Sequence, residues 1–222
     1  KISLELNVPF LISDASMFSG TGYCGRNIDS LIQELVYRTD GDLDKASRGI
    51  IYLDEIDKVA AVNGNGRDVA GRDVQNNLLR ILESGETKVI TKKGEETINT
   101  KNILFIAGGA FSDIYKYIGD LSKSEEDVYE GAYKSSCRDL IKALNKYGMI
   151  PEFLGRFPII TKFRQLGEQD LKKILIDSEE SPINDYKQDF SAYNIDISFT
   201  DSAYDMIAKK AYARGVGARG PN

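Results

Sequence analysis

Apolar residues along the chain fall into two kinds of stretch. Val8 to Ile12, Gly49 to Leu53 and Asn102 to Ala107 are short apolar runs, the signature of strands buried in a parallel sheet. Asn27 to Val36 instead places Ile28, Leu31, Ile32, Leu35 and Val36 at helical spacing, and Val74 to Leu82 and Asp139 to Tyr147 read as helices too. Lys88 to Thr100 reads as a hairpin turning at Lys93-Gly94, and Ile159 to Phe163 as a further strand. Between these lie a polar, glycine-punctuated stretch from Ser13 to Gly25 and a polar, acidic segment from Ser112 to Ser136, read as an insertion or mobile loop. Beyond Gln165 the pattern gives helices at Glu168 to Ile176, Ile183 to Ala192 and Ser202 to Ala213, with a short strand at Asp196 to Phe199. Strand and helix thus alternate over residues 1–164, and helices dominate over 165–222. That order predicts an α/β layered domain followed by a smaller, mainly helical one.

Composition narrows the function classes. With 41% hydrophobic and 28% charged residues, the 222-residue chain has the make-up of a globular protein. No apolar run approaches the roughly 18 to 20 residues of a membrane span, and the opening residues show no charged leader followed by an apolar region. The formal charge is −5 and the basic residues are scattered, which argues against nucleic acid as a partner. Cys24 and Cys137 lie far apart without metal-ligand spacing, which points to a reduced, cytoplasmic setting. The chain contains no histidine, and so no Ser-His or Cys-His hydrolase scheme and few routes to a zinc site.

The strongest local signal is Ile50-Ile51-Tyr52-Leu53-Asp54-Glu55, an apolar strand that stops at two carboxylates. A buried strand fixes a carboxylate at its tip with little freedom. Asp54 could then hold a Mg²⁺ through its water shell, and Glu55 could orient and deprotonate an attacking water. Taken alone, the same six residues equally suit a strand that ends in an acidic turn.

Context favours the first reading. Lys45 to Val59 (KASRGIIYLDEIDKV) resembles the Walker B region of the ClpX and HslU branch of the AAA+ ATPases. The resemblance continues through Arg67 to Gly71, Val74 to Leu79, Ile103 to Phe111, Gly148 to Pro158 (GMIPEFLGRFP) and Ile207 to Gly220 (IAKKAYARGVGARG). The helix at Asn27 to Val36 is followed by only about a dozen residues where HslU carries a long inserted domain, so ClpX is the nearer likeness. The resemblance implies an AAA+ P-loop-type parallel sheet with helices over residues 1–164, and over 165–222 the smaller helical domain. It also implies an ATP- and Mg²⁺-dependent homo-hexamer that pulls unfolded or tagged polypeptides through a central channel, with a ClpP-type peptidase as a possible partner.

Residue by residue, Asp54 matches the Mg²⁺-holding Walker B carboxylate and Glu55 the one that activates water. Arg156 matches the arginine finger offered to the neighbouring subunit's γ-phosphate, and Arg219 the sensor-2 arginine. Gly22-Tyr23-Cys24-Gly25 resembles the aromatic channel loop, with Tyr23 pushing on substrate; a plain glycine turn would read the same in isolation. Arg67 falls in the counterpart of the second channel loop. Gly108 and Gly109 stand where related proteins keep a polar sensor, and no catalytic role attaches to them.

Three departures accompany the match. The 222 residues contain no G-x-x-x-x-G-K-S/T phosphate loop, and the chain stops shortly after Arg219; both features read as truncation, and the chain alone is expected to be inactive as an ATPase. The Ile-Gly-Phe tripeptide by which ClpX docks its peptidase does not occur between Ser112 and Ser136, where Ile118-Gly119-Asp120 is the nearest string. The ClpX zinc-binding domain is also missing from these residues. A remodelling chaperone without a peptidase, a non-hydrolysing AAA+ scaffold and a DNA-acting AAA+ motor are the rival readings, the last disfavoured by net acidity.

Overall fold

The computed structural model describes residues 2–18, 27–61, 69–117, 132–164, 166–178 and 181–214. The chain folds as two compact units, Lys1–Ile160 and Thr161–Asn222.

The first unit is built on a parallel sheet of β1 (Phe10–Asp14), β2 (Ile50–Asp54) and β5 (Leu104–Ala107), with β2 in the centre. The register aligns Leu11, Ile51 and Phe105 on one face and Ile12, Tyr52 and Ile106 on the other. On the first face Leu11, Ile51 and Leu53 are fully buried. They pack in one core with Leu31, Ile32 and Leu35 of α2 (Asp29–Tyr37) and Leu78 of α4 (Val69–Ser84). The opposite face is only partly covered: Ile50 is buried there, whereas Ile12, Leu104 and Ile106 are exposed. The short helices α1 (Ile2–Glu5) and α3 (Leu43–Ala46) precede β1 and β2, and Asp42 caps α3 by accepting from Lys45 N–H.

The hairpin β3 (Glu86–Thr91) and β4 (Gly94–Asn99) turns at Lys92-Lys93 and lies against α2. The Gln33 side-chain amide of α2 exchanges two hydrogen bonds with the backbone of Ile90, at 2.7 and 2.8 Å, as a neighbouring strand would. The polar segment expected from Ser112 to Ser136 contains one helical turn at Ile114–Lys116; residues 118–131 lie outside the described ones. Helix α5 (Ala132–Tyr147) begins before Asp139, because the expected start followed the first apolar repeat and the preceding turns are polar. The one-turn helix α6 (Pro151–Leu154) follows, with Pro151 at its first position.

The second unit is α7 (Glu168–Asp177), α8 (Pro182–Ser191) and α9 (Asp201–Ala213), closed around Leu171, Leu175, Ile183, Ala208 and Ala211. Thr200 Oγ1 caps α9 by accepting from Ala203 N–H, and Lys172 of α7 pairs with Asp201 and Asp205 of α9. Asp170 accepts a two-pronged hydrogen bond from Arg164 and another from Gly167 N–H, which together hold its carboxyl well below the usual carboxylate range.

Two expected strands are absent. Residues 159–163 and 196–199 are irregular. Ile159 and Phe163 are 77% and 90% exposed, and Phe199 packs on Tyr204 at 5.9 Å instead of joining a ladder. A lone extended segment leaves its backbone donors and acceptors to water, so an apolar run without an edge to pair with does not become a strand.

Candidate functional site

Parallel order makes all three strands of the sheet end at the same edge, where β1 ends at Asp14 and β2 at Asp54, partners in register. Asp14 is engaged locally, its Oδ1 accepting from Ser16 N–H at 2.7 Å to cap the turn Ala15–Met17. Asp54 is half-buried, and its Oδ1 accepts from Glu55 N–H at 3.0 Å. Glu55 itself is exposed and left-handed, with φ of 52°. A non-glycine residue in that region is strained by roughly 1 to 2 kcal/mol and persists only where its surroundings over-determine it.

Those surroundings are visible. Gly108 at the end of β5 donates to Leu53 O at 2.8 Å and accepts from Ile56 N–H at 2.9 Å, so the turn is bonded on both sides of Glu55. The backbones approach closely enough to exclude side chains. A Cβ on Gly108 would lie 2.1 Å from the Tyr52 hydroxyl, and one on Gly109 would lie 2.6 Å from Asp57 Oδ1 and 3.0 Å from the Asp57 backbone nitrogen. Gly108 and Gly109 therefore hold the carboxylate turn by shape. Asp57 is buried at this turn, and the Tyr147 phenol is pushed above its ordinary value by burial first and then by the charges of Asp57 and Asp113.

Arg156 follows α6 in the same unit and stands half-exposed, in close contact with Glu83 Oε1 near the end of α4. Such a partly exposed pair adds about 0 to 1 kcal/mol, too little to fix the guanidinium permanently. Tyr23, Gly22, Gly25, Arg67 and Arg219 lie outside the described residues. Among the described residues no group of three or more His, Cys, Asp or Glu is placed to hold a metal. No helix among them is long and apolar enough to cross a membrane.

A family profile described as AAA domain (Cdc48 subfamily) matches residues 3–160. The chain belongs to the AAA domain family. The parallel sheet with flanking helices, followed by a helical unit, is the fold that family membership entails, and nucleotide binding is the family's common property. A second profile, the C-terminal D2-small domain of ClpB protein, matches residues 166–220 of this AAA chain. Among curated relatives, the chain is similar to the ATP-dependent Clp protease ATP-binding subunit ClpX of Borrelia duttonii (strain Ly), at 39% identity over 99% of the chain and 55% of that protein. It is 38% identical to ClpX 2 of Wolinella succinogenes over 97% of the chain and 56% of the relative. For ClpX of Azotobacter vinelandii the figures are 36%, 97% and 53%. The chain thus spans about half the length of the curated relatives it matches.

Two residues of this AAA domain were not singled out from sequence. Glu83 carries no local signal, because its partner Arg156 is distant in the chain. Gln75 does carry one: with Leu78, Leu79 and Leu82 it falls on the apolar stripe of α4, where an amide is out of place.

Proposed function

We propose that this AAA domain serves an ATP-dependent protein unfoldase of the ClpX kind, a cytoplasmic homo-hexamer that threads unfolded or tagged polypeptides through its channel. The observation that carries the reading is the pair Asp54-Glu55 at the tip of the central strand, with the second carboxylate held in a strained, exposed setting. The ClpX names of the relatives support the cellular role.

The donor set suits a nucleotide with Mg²⁺. Asp54 offers one carboxylate rather than a cage, which matches an ion that keeps most of its waters and takes further oxygens from phosphate. Bound Mg·ATP supplies the reactive γ-phosphoryl group and the cation that draws off its charge. The chain's own residues do the rest. Asp54, at the strand tip, would hold the cation through its waters. Glu55 orients a water and takes its proton. Arg156 donates to the γ-phosphate of the adjacent subunit's nucleotide, and Arg219 senses nucleotide state. Tyr23, between Gly22 and Gly25, pushes on the substrate chain, with Arg67 in the second channel loop. The 222 residues hold no P-loop, so they lack the backbone cradle and lysine that grip phosphates, and alone they are not an ATPase.

A ClpP-type peptidase is one destination for the threaded chain. Release without a peptidase is the second reading, favoured by Ile118-Gly119-Asp120 standing where the docking tripeptide would carry an aromatic. The test of the ATPase reading is Glu55→Gln in the full-length protein, which should retain ATP binding and lose at least about 10²-fold in turnover. Near-normal turnover would leave the scaffold reading in its place.

A further inference from the structure

We propose that Gln75 is a positioning residue that locks the Glu55 turn of each subunit to the segment presenting Arg156; the inference rests on the ATPase reading above. Gln75 is fully buried on α4. Its Nε2 donates to Val59 O at 2.8 Å and to Gly148 O at 3.1 Å, and its Oε1 accepts from Ile150 N–H at 2.8 Å. Both amide protons are used, and every one of these partners is backbone. An amide placed in an apolar core is costly unless its polar atoms are paired, so a leucine would be the ordinary occupant of this stripe position. The amide is explained by what it joins.

On one side it grips Val59, the last residue of the 3-10 turn Ile56–Val59 that begins at Glu55. Gly108 bonds the front of that turn, and Gln75 bonds its back. On the other side it grips Gly148 and Ile150. Ile150 is the N-cap residue of α6, and no side chain caps that helix. The peptide oxygen of Gly148 also accepts from Ala61 N–H at 3.0 Å, closing a second bond between the same two segments. Gly148 has φ of 120°, and a Cβ there would lie 2.3 Å from Ala61 O, so the two backbones touch. From Ile150 the chain runs through buried Phe153 and Leu154 directly to Arg156, whose N–H returns to Phe153 O at 3.0 Å.

One buried side chain therefore ties the carboxylate that acts on a subunit's own nucleotide to the arginine offered to the next. Removing the amide takes away three of the hydrogen bonds at this junction and leaves the Ala61–Gly148 bond, so the Glu55 turn and the Arg156 segment are held less firmly in register. The consequence is specific: nucleotide affinity, set elsewhere, should survive, while the step needing Glu55 and Arg156 in register should slow.

The experiment uses the full-length assembled protein carrying Gln75→Met, which keeps the volume and drops the amide. Expected are a fall in kcat of about tenfold or more, KM for ATP within about threefold of wild type, and a Hill coefficient for ATP moving toward 1. Rates are taken at a temperature where circular dichroism shows the variant fully folded, so that lost packing does not count as lost chemistry. A kcat within about twofold of wild type, or a fall matched by the unfolded fraction, overturns the inference. Should Gln75→Met not fold, Gln75→Asn decides, since it keeps an amide and loses only reach; a severalfold kcat loss at constant KM supports the lock and unchanged kcat refutes it. Hydrogen exchange on residues 1–222 adds a reading that needs no turnover. In Gln75→Asn the Ile150 amide should exchange at least about tenfold faster while α2 is unchanged, and equal protection overturns the lock. Glu55→Gln run in parallel separates the two claims: an active Glu55→Gln overturns the ATPase reading and this inference with it, whereas a dead Glu55→Gln beside a normal Gln75 variant overturns this inference alone.

Discussion

The Oδ1 of Asp54 accepts a hydrogen bond from the backbone N–H of Glu55 at 3.0 Å, and Glu55 sits at φ 52°. One carboxylate thus helps hold its neighbour in a conformation that neighbour would otherwise avoid. Glycine adopts that region freely, so Glu55→Gly should keep stability or raise it by up to about 1 kcal/mol while abolishing turnover. Denaturant melting checks this, and a loss beyond about 1 kcal/mol would show that the Glu55 side chain is needed for folding.

A second relationship at the same edge is testable as a cycle. Gly108→Ala should destabilise by about 1 to 3 kcal/mol, because its Cβ would collide with the Tyr52 hydroxyl. Tyr52→Phe removes the colliding oxygen and should recover part of that cost, a coupling visible in a double-mutant cycle. Strict additivity of the two changes would place the strain elsewhere.

How much of this was legible beforehand follows from the range of the forces involved. The three sheet strands, the longer helices and the Asp54-Glu55 tip were readable because burial imposes a local period on the sequence, whereas the one-turn helices α1, α3 and α6 are too short to show one. The strands expected at 159–163 and 196–199 failed because a strand needs a partner edge, which no local pattern reports. Gly108 and Gly109 carry no chemistry of their own; their purpose is visible only once Tyr52 and Asp57 stand above them. Gln75 was missed although an amide on an apolar stripe is a local signal, because its meaning rests on partners at Val59, Gly148 and Ile150. Glu83 gave no sign, since its pairing with Arg156 depends on how α4 and α6 meet.

In the second unit the carboxyl of Asp170 is held below the ordinary range by Arg164 first and by Gly167 N–H next. The sign follows from that direction. A depressed folded pKa contributes stability above the unfolded value of about 4, and the contribution is lost as pH falls through the folded value. Asp170→Asn should therefore flatten the decline of stability below about pH 4 and lower stability at neutral pH. Thermal melting against pH checks it, and an unchanged acid slope would contradict it.

Residues 1–222 should bind Mg·ATP no tighter than about 1 mM, equivalent to about 4 kcal/mol, because Asp54 and Glu55 repel a triphosphate that no P-loop holds. Calorimetric titration measures this directly. Micromolar affinity would place a phosphate cradle among these residues that their sequence does not show.

In the proposed mechanism Glu55 acts within its own subunit and Arg156 acts across to the next. Full-length subunits carrying Glu55→Gln and others carrying Arg156→Ala should each be inactive alone. In an equal random mixture, roughly a quarter of the interfaces would pair an intact Glu55 with an intact Arg156. ATPase activity of the mixture, measured with co-assembly demonstrated in the same sample, should accordingly reappear. Full silence of the co-assembled mixture would put Arg156 in its own subunit's site, or in none, and contradict the proposed mechanism.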